Sequence, residues 1–188
     1  MELPLPIYES YKIGEQDDFN IVVGLDKNLV AQLEKYSLDE TDTELQKNTG
    51  DLARFGRGSY EDWYKKDRTP FALMHKNTNA LAALVWFGPK PLGKKSMKFE
   101  GTEEVKTESN WHTISFRSYP PFRGTGIMKN FSNFVLDFYK KEFPNVLFWT
   151  GTDSRNEPFK KLMFSLDFKP NEDASDLNSN WLVMTKKV

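Results

Sequence analysis

A short glycine-containing turn carries the clearest chemical signal in this sequence. It runs from Arg123 to Gly126, between a half-apolar extended run at Trp111–Ser118 and an amphipathic helical pattern at Ile127–Glu142. Successive N–H groups of such a turn can point at one spot, and the following helix adds the positive end of its dipole. Glycine allows positive φ and close approach of the main chain to a phosphate. The pattern therefore predicts a backbone cradle for a phosphate group.

The composition argues against several other kinds of site. The chain has 188 residues, no cysteine and 2 histidines, so disulfides, cysteine nucleophiles and cysteine or multi-histidine metal sites are not expected. The net charge of −1 gives no general attraction for nucleic acid or acidic membranes. The sequence shows neither a signal-peptide pattern nor an apolar run of membrane-spanning length. We therefore expect a cytoplasmic protein without a metal, nucleic-acid or membrane partner.

The elements on either side of the turn must hold it in place. The run before it is a predicted strand, and the pattern after it has an apolar stripe at helical spacing. A continuous apolar run at 146–149 predicts a strand that is covered on both faces. Strand, helix and strand in this order form a right-handed crossover, so the two strands are predicted to be parallel. Asn156 is predicted to cap a second amphipathic helix.

The rest of the chain predicts antiparallel pairing around these elements. Apolar runs at 70–75 and 80–87 flank a polar turn and predict a hairpin, and Asp26 and Ser59 are predicted helix caps. Further strands are expected at 19–23 and 181–184. The segments expected to be irregular are a lead-in at 1–18, a loop at 37–50, a flexible turn at 52–58 and a long surface excursion at 88–110, either a cover over a site or a solvated hairpin extension.

Two motifs give the chain a resemblance to the GNAT superfamily of acetyl-CoA-dependent N-acetyltransferases. The first family motif has Arg or Gln, two further residues, Gly, one residue and a small residue, often with a proline three positions before the Arg. Here Pro120, Arg123, Gly126 and Met128 fall at those positions. The second motif begins at Asn156 and continues at family spacing through Phe159, Leu162, Met163, Asp167 and Phe168. The resemblance covers about residues 19–187.

The resemblance implies a fold. We expect a single GNAT-like α/β (α+β) domain over residues 1–188. Its centre would be a mixed, mostly antiparallel, twisted sheet flanked by about four helices. The two parallel strands, at Trp111–Ser118 and 146–149, would splay apart.

The resemblance also implies acetyl-CoA or coenzyme A as co-substrate, with no metal. The turn and helix N-terminus would bind the pyrophosphate, and the strand before them would pair with the pantetheine amides as an added half-strand does. The implied cofactor-binding residues are Phe116, Arg117, Ser118, Arg123, Gly124, Thr125, Gly126, Ile127, Met128, Asn156, Phe159 and Lys161. Arg155 and Lys160 are further candidates for the outer phosphates, although exposed lysines on a helix are also often only solvated.

Four positions depart from the family pattern. Met128 and Phe159 replace small residues, and Asp167 replaces a glycine. Met163 stands where many members carry a tyrosine, the implied general acid, and a thioether cannot donate a proton. The expected loss is the general-acid contribution, on the order of 10²–10⁴-fold at most. Positioning of the amine and stabilisation of the oxyanion still favour transfer.

The sequence offers few candidates for a general base. His112, at the start of the strand that leads to the turn, is the catalytic candidate because histidine titrates near neutral pH. The alternative is a packing role at a strand end. His75 and Tyr119 also fit packing roles, and Glu108 has no predicted position.

The predicted function is transfer of an acetyl group from acetyl-CoA to a primary amine of a small molecule, peptide or protein. The acceptor is unassigned: Phe55, Tyr60, Trp63 and Trp86 either line an aromatic acceptor pocket or belong to the core. A homodimer is compatible with the sequence. The alternatives are a non-catalytic acyl-CoA-binding or sensory module and a structural domain whose turn is only a connection. A kinase-like phosphate loop is disfavoured, because no Gly-Lys-Ser/Thr follows the turn.

Overall fold

The computed structural model describes residues 1–93 and 110–186. Its strands are β1 (Ser10–Gln16), β2 (Phe19–Gly24), β3 (Thr69–His75), β4 (Leu81–Pro89), β5 (Trp111–Ser118), β6 (Leu147–Asp153), β7 (Lys169–Pro170) and β8 (Trp181–Lys186). They form one eight-stranded sheet in the order β1-β2-β3-β4-β5-β6-β8-β7. Antiparallel pairs join β1 to β2, β2 to β3, and β8 to both β6 and β7.

The helices of the described residues fall between these strands. They are α1 (Lys27–Leu38), α2 (Thr43–Asn48), a π-helical turn (Leu52–Gly56), α3 (Tyr60–Tyr64), α4 (Ile127–Glu142), α5 (Glu157–Ser165) and a 3₁₀ turn (Leu177–Ser179). The three predicted caps are confirmed, since each side chain accepts a bond from the N–H three residues on. The caps are Asp26 at 2.9 Å, Ser59 at 3.2 Å and Asn156 at 3.2 Å.

The predicted sheet is confirmed in both of its distinctive features. The hairpin turn is closed by the His75 N–H bond to the Ala80 carbonyl, at 2.9 Å. β5 and β6 are parallel, in a register that places Thr113 opposite Trp149. The fold is thus a mixed α/β arrangement that is mostly antiparallel with one parallel pair, as expected.

Three predictions of irregular structure are wrong. The lead-in at 1–18 contains β1, an edge strand whose mostly polar, partly exposed side chains give no alternating apolar signal. The loop predicted at 37–50 contains α2, which buries only Leu45 and so has no apolar stripe. The flexible turn at 52–58 begins with the π-helical turn, which buries Phe55. The excursion predicted at 88–110 lies mostly outside the described residues.

Close contacts divide the chain into two compact units, each built from two stretches of sequence. The first unit comprises residues 1–86 and 116–131, and the second comprises 87–115 and 132–188. The core of the first is rich in aromatic side chains, among them Trp63, Trp86 and Tyr119. In the second, Phe87 stacks on Tyr139 with ring centroids 4.2 Å apart. The single-domain organisation of the chain stays a prediction.

Two features are absent from the described residues. No helix there is long and apolar enough to cross a membrane. No group of three or more His, Cys, Asp or Glu side chains in the described part of the chain could hold a metal ion.

Candidate functional site

The chain approaches the glycine turn, in the first unit, from a tightly bound residue, Tyr119. Its side chain is fully buried, and its N–H donates to the Ala82 carbonyl at 2.9 Å. The Tyr119 carbonyl in turn accepts the N–H groups of Phe122, at 2.9 Å, and Arg123, at 3.1 Å. The Phe122 ring packs edge-on against Phe19, with centroids 5.4 Å apart. The chain therefore enters the turn in one fixed conformation.

Both glycines of the turn adopt conformations that other residues avoid. Gly124 has φ +80° and Gly126 has φ +83°, and a Cβ atom at either position would meet no atom within 4 Å. The N–H groups of these two glycines donate to no residue that the structure describes. Helix geometry also leaves the N–H groups of Ile127 and Met128 without an intrahelical acceptor. The turn thus presents unpaired donors beside open space, as the predicted cradle requires.

Other donors of the same motif are already engaged. The Arg123 N–H bonds within the turn, and the Thr125 N–H lies 3.4 Å from the Phe122 carbonyl. The Ile127 carbonyl accepts a bond from Gln16 Nε2 at 3.1 Å, which ties the first residue of α4 to β1. Met128 is half-buried. Among the predicted cradle residues, the two glycines and the first two residues of α4 are those whose N–H groups can donate to a ligand.

The Arg123 side chain fixes the turn to the start of α2. Its Nη1 and Nη2 atoms lie 2.7 Å and 2.5 Å from the two carboxylate oxygens of Asp42, and its Nε lies 3.1 Å from the Ser118 carbonyl. Asp42 is also the N-cap of α2, accepting the Leu45 N–H at 3.1 Å. The hydrogen bonds from Arg123 hold the pKa of Asp42 below its ordinary value. This pair gives the arginine of the motif a positioning contact.

Arg117, on β5, makes a second bidentate pair at the start of the π-helical turn. Its Nε contacts Asp51 Oδ2, its Nη2 lies 2.8 Å from Asp51 Oδ1, and its Nη1 bonds the Phe116 carbonyl at 2.7 Å. Asp51 also accepts Arg54 Nη1 at 2.6 Å. Burial opposes the charge of Asp51, but Arg117 and then Arg54 outweigh it and hold the pKa of that carboxyl below its ordinary value. The backbone of Phe116 and Ser118 is predicted to pair with the pantetheine amides. In this structure the carbonyl of each accepts a hydrogen bond from an arginine side chain.

The aromatic residues offered as an acceptor pocket are all buried in the first unit. Phe55, Tyr60, Trp63 and Trp86 are 3–7% exposed. The rings of Phe55 and Trp63 meet edge-on at 5.0 Å, and those of Trp63 and Trp86 at 5.6 Å. These contacts are those of a packed core, which is the second of the two readings given above.

The second motif, in the other unit, is shaped mainly by its helix cap. Asn156 bonds the Phe159 N–H, so its amide oxygen has a partner. The exposed Arg155 forms a bidentate pair with Asp153, at 2.9 Å and 2.6 Å, and Lys160 lies 2.5 Å from Glu157. Lys161 is exposed. The cofactor contacts of Asn156, Phe159 and Lys161 stay predictions.

The two most marked departures from the family pattern have clear structural consequences. Met163 is fully buried, so the position of the usual acid is part of the core of the second unit. Asp167 takes the place of the family glycine at the end of α5 with φ +64°. Aspartate is one of the few other residues that tolerate this left-handed conformation. The Phe168 N–H bonds the Met163 carbonyl at 3.0 Å and closes the helix end.

The histidine candidates both have packing contacts. His112 Nδ1 lies 2.7 Å from the Tyr139 hydroxyl, and its ring lies 5.5 Å from that of Phe143. His75 Nδ1 lies 2.9 Å from Thr78 Oγ1, and its ring packs 5.4 Å from Phe122. A catalytic role for His112 stays a prediction.

Three charged residues of the first unit were missed by the sequence reasoning. Asp42 lies in the loop predicted at 37–50, Arg54 in the turn predicted at 52–58, and Asp51 between the two. Asp42, three residues before the apolar Leu45, is a residue type that commonly caps the N-terminus of a helix. The spacing of Asp51 and Arg54 also suits a helical pair. The pairing of Asp42 and Asp51 with arginines more than sixty positions away has no local signal.

Comparison with known proteins confirms the fold. The sequence matches no family model and no curated protein. The structure is similar to the GNAT domain of the S. lividans protein PAT, with TM-score 0.65 and 12% identity over 95% of this chain and 97% of that one. It is also similar to RimL, a ribosomal L7/L12 α-N-protein acetyltransferase, with TM-score 0.62 and 14% identity over 95% of each chain.

A third similar structure contains the cofactor expected here. It is the microcin C7 self-immunity acetyltransferase MccE in complex with acetyl-CoA and AMP, with TM-score 0.60 and 12% identity over 92% of this chain and 94% of that one. The resemblance to the GNAT superfamily is therefore confirmed at the level of the fold.

Proposed function

We propose that this chain, which has the GNAT fold, binds acetyl-CoA and transfers its acetyl group to a primary amine of a small molecule, peptide or protein. The observation that carries the proposal is the glycine turn. Gly124 and Gly126 hold N–H groups that donate to none of the described residues and lie beside open space, at the start of the 16-residue helix α4. A pyrophosphate accepts such bonds, and the helix dipole stabilises its charge without a metal. MccE, with the same fold, has been crystallised with acetyl-CoA.

Acetyl transfer from a thioester to an amine needs few ionisable side chains. The amine nitrogen attacks the thioester carbonyl carbon, the C–S bond breaks, and the amine gives up a proton to solvent water. Met163 cannot protonate the departing sulfur, so coenzyme A leaves as thiolate and takes its proton from water. Backbone donors that position the thioester and stabilise the oxyanion carry the rate acceleration.

The buried methionine also favours a second candidate function. A GNAT fold that binds acyl-CoA without transferring it would keep the glycine turn and have no need of an acid at position 163. Met163 is fully buried, so the side chain at that position packs in the protein interior and offers no proton donor. This candidate differs from the first in turnover alone.

One experiment separates the two candidates. The melting temperature is measured with and without acetyl-CoA, and isotope-labelled acetyl transfer is measured across a panel of amines. A raised melting temperature with labelled product supports the transferase. A raised melting temperature with no product on any amine supports the binding module. No change in melting temperature at millimolar acetyl-CoA contradicts both.

A further inference from the structure

The first unit contains a buried charge cluster that its own residues do not neutralise. Asp51 has 1% of its side chain exposed, Arg117 13% and Arg54 28%. One carboxylate thus faces two guanidinium groups, which leaves an excess of one positive charge. Excess buried charge is costly unless a partner of opposite sign is present.

The arginine nearer the surface has most of its donors unused. Arg54 bonds Asp51 through Nη1 alone, and its other nitrogen atoms have no hydrogen-bond partner among the described residues. A guanidinium group carries five N–H donors. Arg117 is different, because all three of its nitrogen atoms are bonded to Asp51 or to the Phe116 carbonyl. Arg54 is therefore the member of the cluster that is free to receive a ligand.

Aromatic rings hold the two guanidinium groups and limit their hydration. The Arg117 guanidinium carbon lies 4.6 Å from the centre of the Trp86 ring. The corresponding carbon of Arg54 lies 5.7 Å from the same ring and 5.6 Å from that of Phe55. Such cation–π contacts fix the side chains in place. Burial accordingly lowers the pKa of Arg54, although Asp51 acts in the opposite direction.

A second, independent observation comes from Tyr119. Its hydroxyl is buried and has no hydrogen-bond partner within residues 1–93 and 110–186, although its ring stacks on Tyr36 at 4.5 Å. The hydroxyl lies within electrostatic reach of Asp51, Arg117 and Arg54. Burial, and then Asp51, raise the pKa of Tyr119 well above its ordinary value, so the hydroxyl keeps its proton and remains a donor. An orphaned buried donor of this kind is uncommon and calls for a partner.

We propose that Arg54 and the Tyr119 hydroxyl, with Arg117 held by Asp51 behind them, form a binding site for an anionic group, a carboxylate or a phosphate, on the acceptor amine. This inference rests on the proposed function and specifies its substrate class. The anionic group supplies the missing negative charge and accepts hydrogen bonds from the unused N–H groups of Arg54 and from the Tyr119 hydroxyl. Asp51 keeps Arg117 in place and is a positioning residue.

The test compares acceptors that differ only in charge. Each amine with a carboxylate is paired with the matching amide, and kcat and KM are measured for the wild type and for Arg54→Gln, Arg54→Lys and Arg57→Gln. Arg57 is the matched control because it lies on the same segment, is 69% exposed and pairs only at 3.3 Å with the exposed Glu40. Arg54→Gln is expected to fold, since Arg117 still balances Asp51.

The expected result is a preference of the wild type for the charged acceptor. Arg54→Gln should lower kcat/KM for that acceptor by about ten- to hundredfold, because it raises KM through the loss of charge-assisted hydrogen bonds. The same variant should leave kcat/KM for the amide acceptor and KM for acetyl-CoA unchanged. Arg54→Lys should restore part of the loss, and Arg57→Gln should match the wild type.

Other outcomes overturn the inference without touching the proposed function. If the wild type treats acid and amide alike, the site does not read the acceptor's charge. If Arg54→Gln raises the KM for acetyl-CoA instead, the anion is a phosphate of the cofactor.

If the protein shows no acetyl transfer, a binding measurement still tests the inference. Acetate and inorganic phosphate, at constant ionic strength, should raise the melting temperature of the wild type more than that of Arg54→Gln. Equal shifts in the two proteins contradict an anion site at Arg54. Loss of the acetyl-CoA shift in the wild type would instead count against the proposed function.

Discussion

Two arginine–aspartate pairs fasten the strand and turn of the first motif to the segment between Asp42 and the π-helical turn. The pair of Arg123 and Asp42 has side chains 23% and 7% exposed and makes an N-cap as well. The pair of Arg117 and Asp51 is 13% and 1% exposed and shares its carboxylate with Arg54. The residue types and the bidentate geometry are the same in both pairs.

The surroundings give the two pairs different consequences. Arg123 and Asp42 are the more exposed of the two pairs and balance each other's charge, so the main effect of the pair is to hold the turn and begin α2. Arg117 and Asp51 lie among aromatic rings, where any mismatch of charge is expensive. The third charge, Arg54, creates such a mismatch. We infer that the first pair supports cofactor binding and that the second supports recognition of the acceptor.

The largest expected effect is that of Asp51→Ala on stability. The substitution removes the counter-charge of Arg117, which is 13% exposed, and of the more exposed Arg54, and leaving a buried charge unpaired typically costs about 3–5 kcal/mol of unfolding free energy. Urea denaturation measures the loss. Asp62→Ala is the control, because Asp62 is exposed and its pair with Lys65 at 3.4 Å should be worth about 1 kcal/mol at most. Similar losses in the two variants would show that Asp51 carries no buried charge balance.

A smaller loss is expected when Asp42 is replaced. Asp42→Ala removes the α2 cap and the bidentate bonds from Arg123, for a combined loss of about 1–3 kcal/mol. Asp42→Asn keeps an N-cap acceptor and removes only the charge, so it should retain part of that stability. Denaturation of both variants separates the cap from the ion pair. Equal losses would mean that the cap contributes nothing.

The acid dependence of stability should show the smallest difference. Arg123 lowers the folded-state pKa of Asp42, so the unfolded chain binds the proton more tightly. The contribution of Asp42 is therefore complete above the unfolded pKa, about 3.9, and is lost as the pH falls through the folded value. Asp42→Asn should weaken the dependence of unfolding free energy on pH below about pH 5. An unchanged slope would contradict the pKa assignment.

The sequence predicted the sheet and the turn better than it predicted the charge pairs. Gly124 and Gly126 gave a local signal, because positive φ demands a particular residue type, and Asn156 gave another as a helix cap. The pairing of Asp51 with Arg117 gave none, since Arg117 lies far along the chain and the contact becomes visible only when β5 is in place. β1 and α2 were missed because short elements with few buried side chains have no apolar periodicity. Long-range electrostatics is the part that required the structure.

The central claim, that the glycine turn binds the pyrophosphate of coenzyme A, is tested most directly by the dissociation constant of acetyl-CoA for Gly126→Ala. Gly93→Ala is the control, because Gly93 also has positive φ, +71°, and its added Cβ would lie 3.1 Å from the Ala174 carbonyl oxygen, so it should lose at least as much folding stability as Gly126→Ala, about 1–2 kcal/mol or more. Titration calorimetry on folded protein should show affinity at least about tenfold weaker for Gly126→Ala than for the wild type, the effect of displacing one charge-assisted bond. Gly93→Ala should bind like the wild type. Unchanged affinity in Gly126→Ala would contradict the claim.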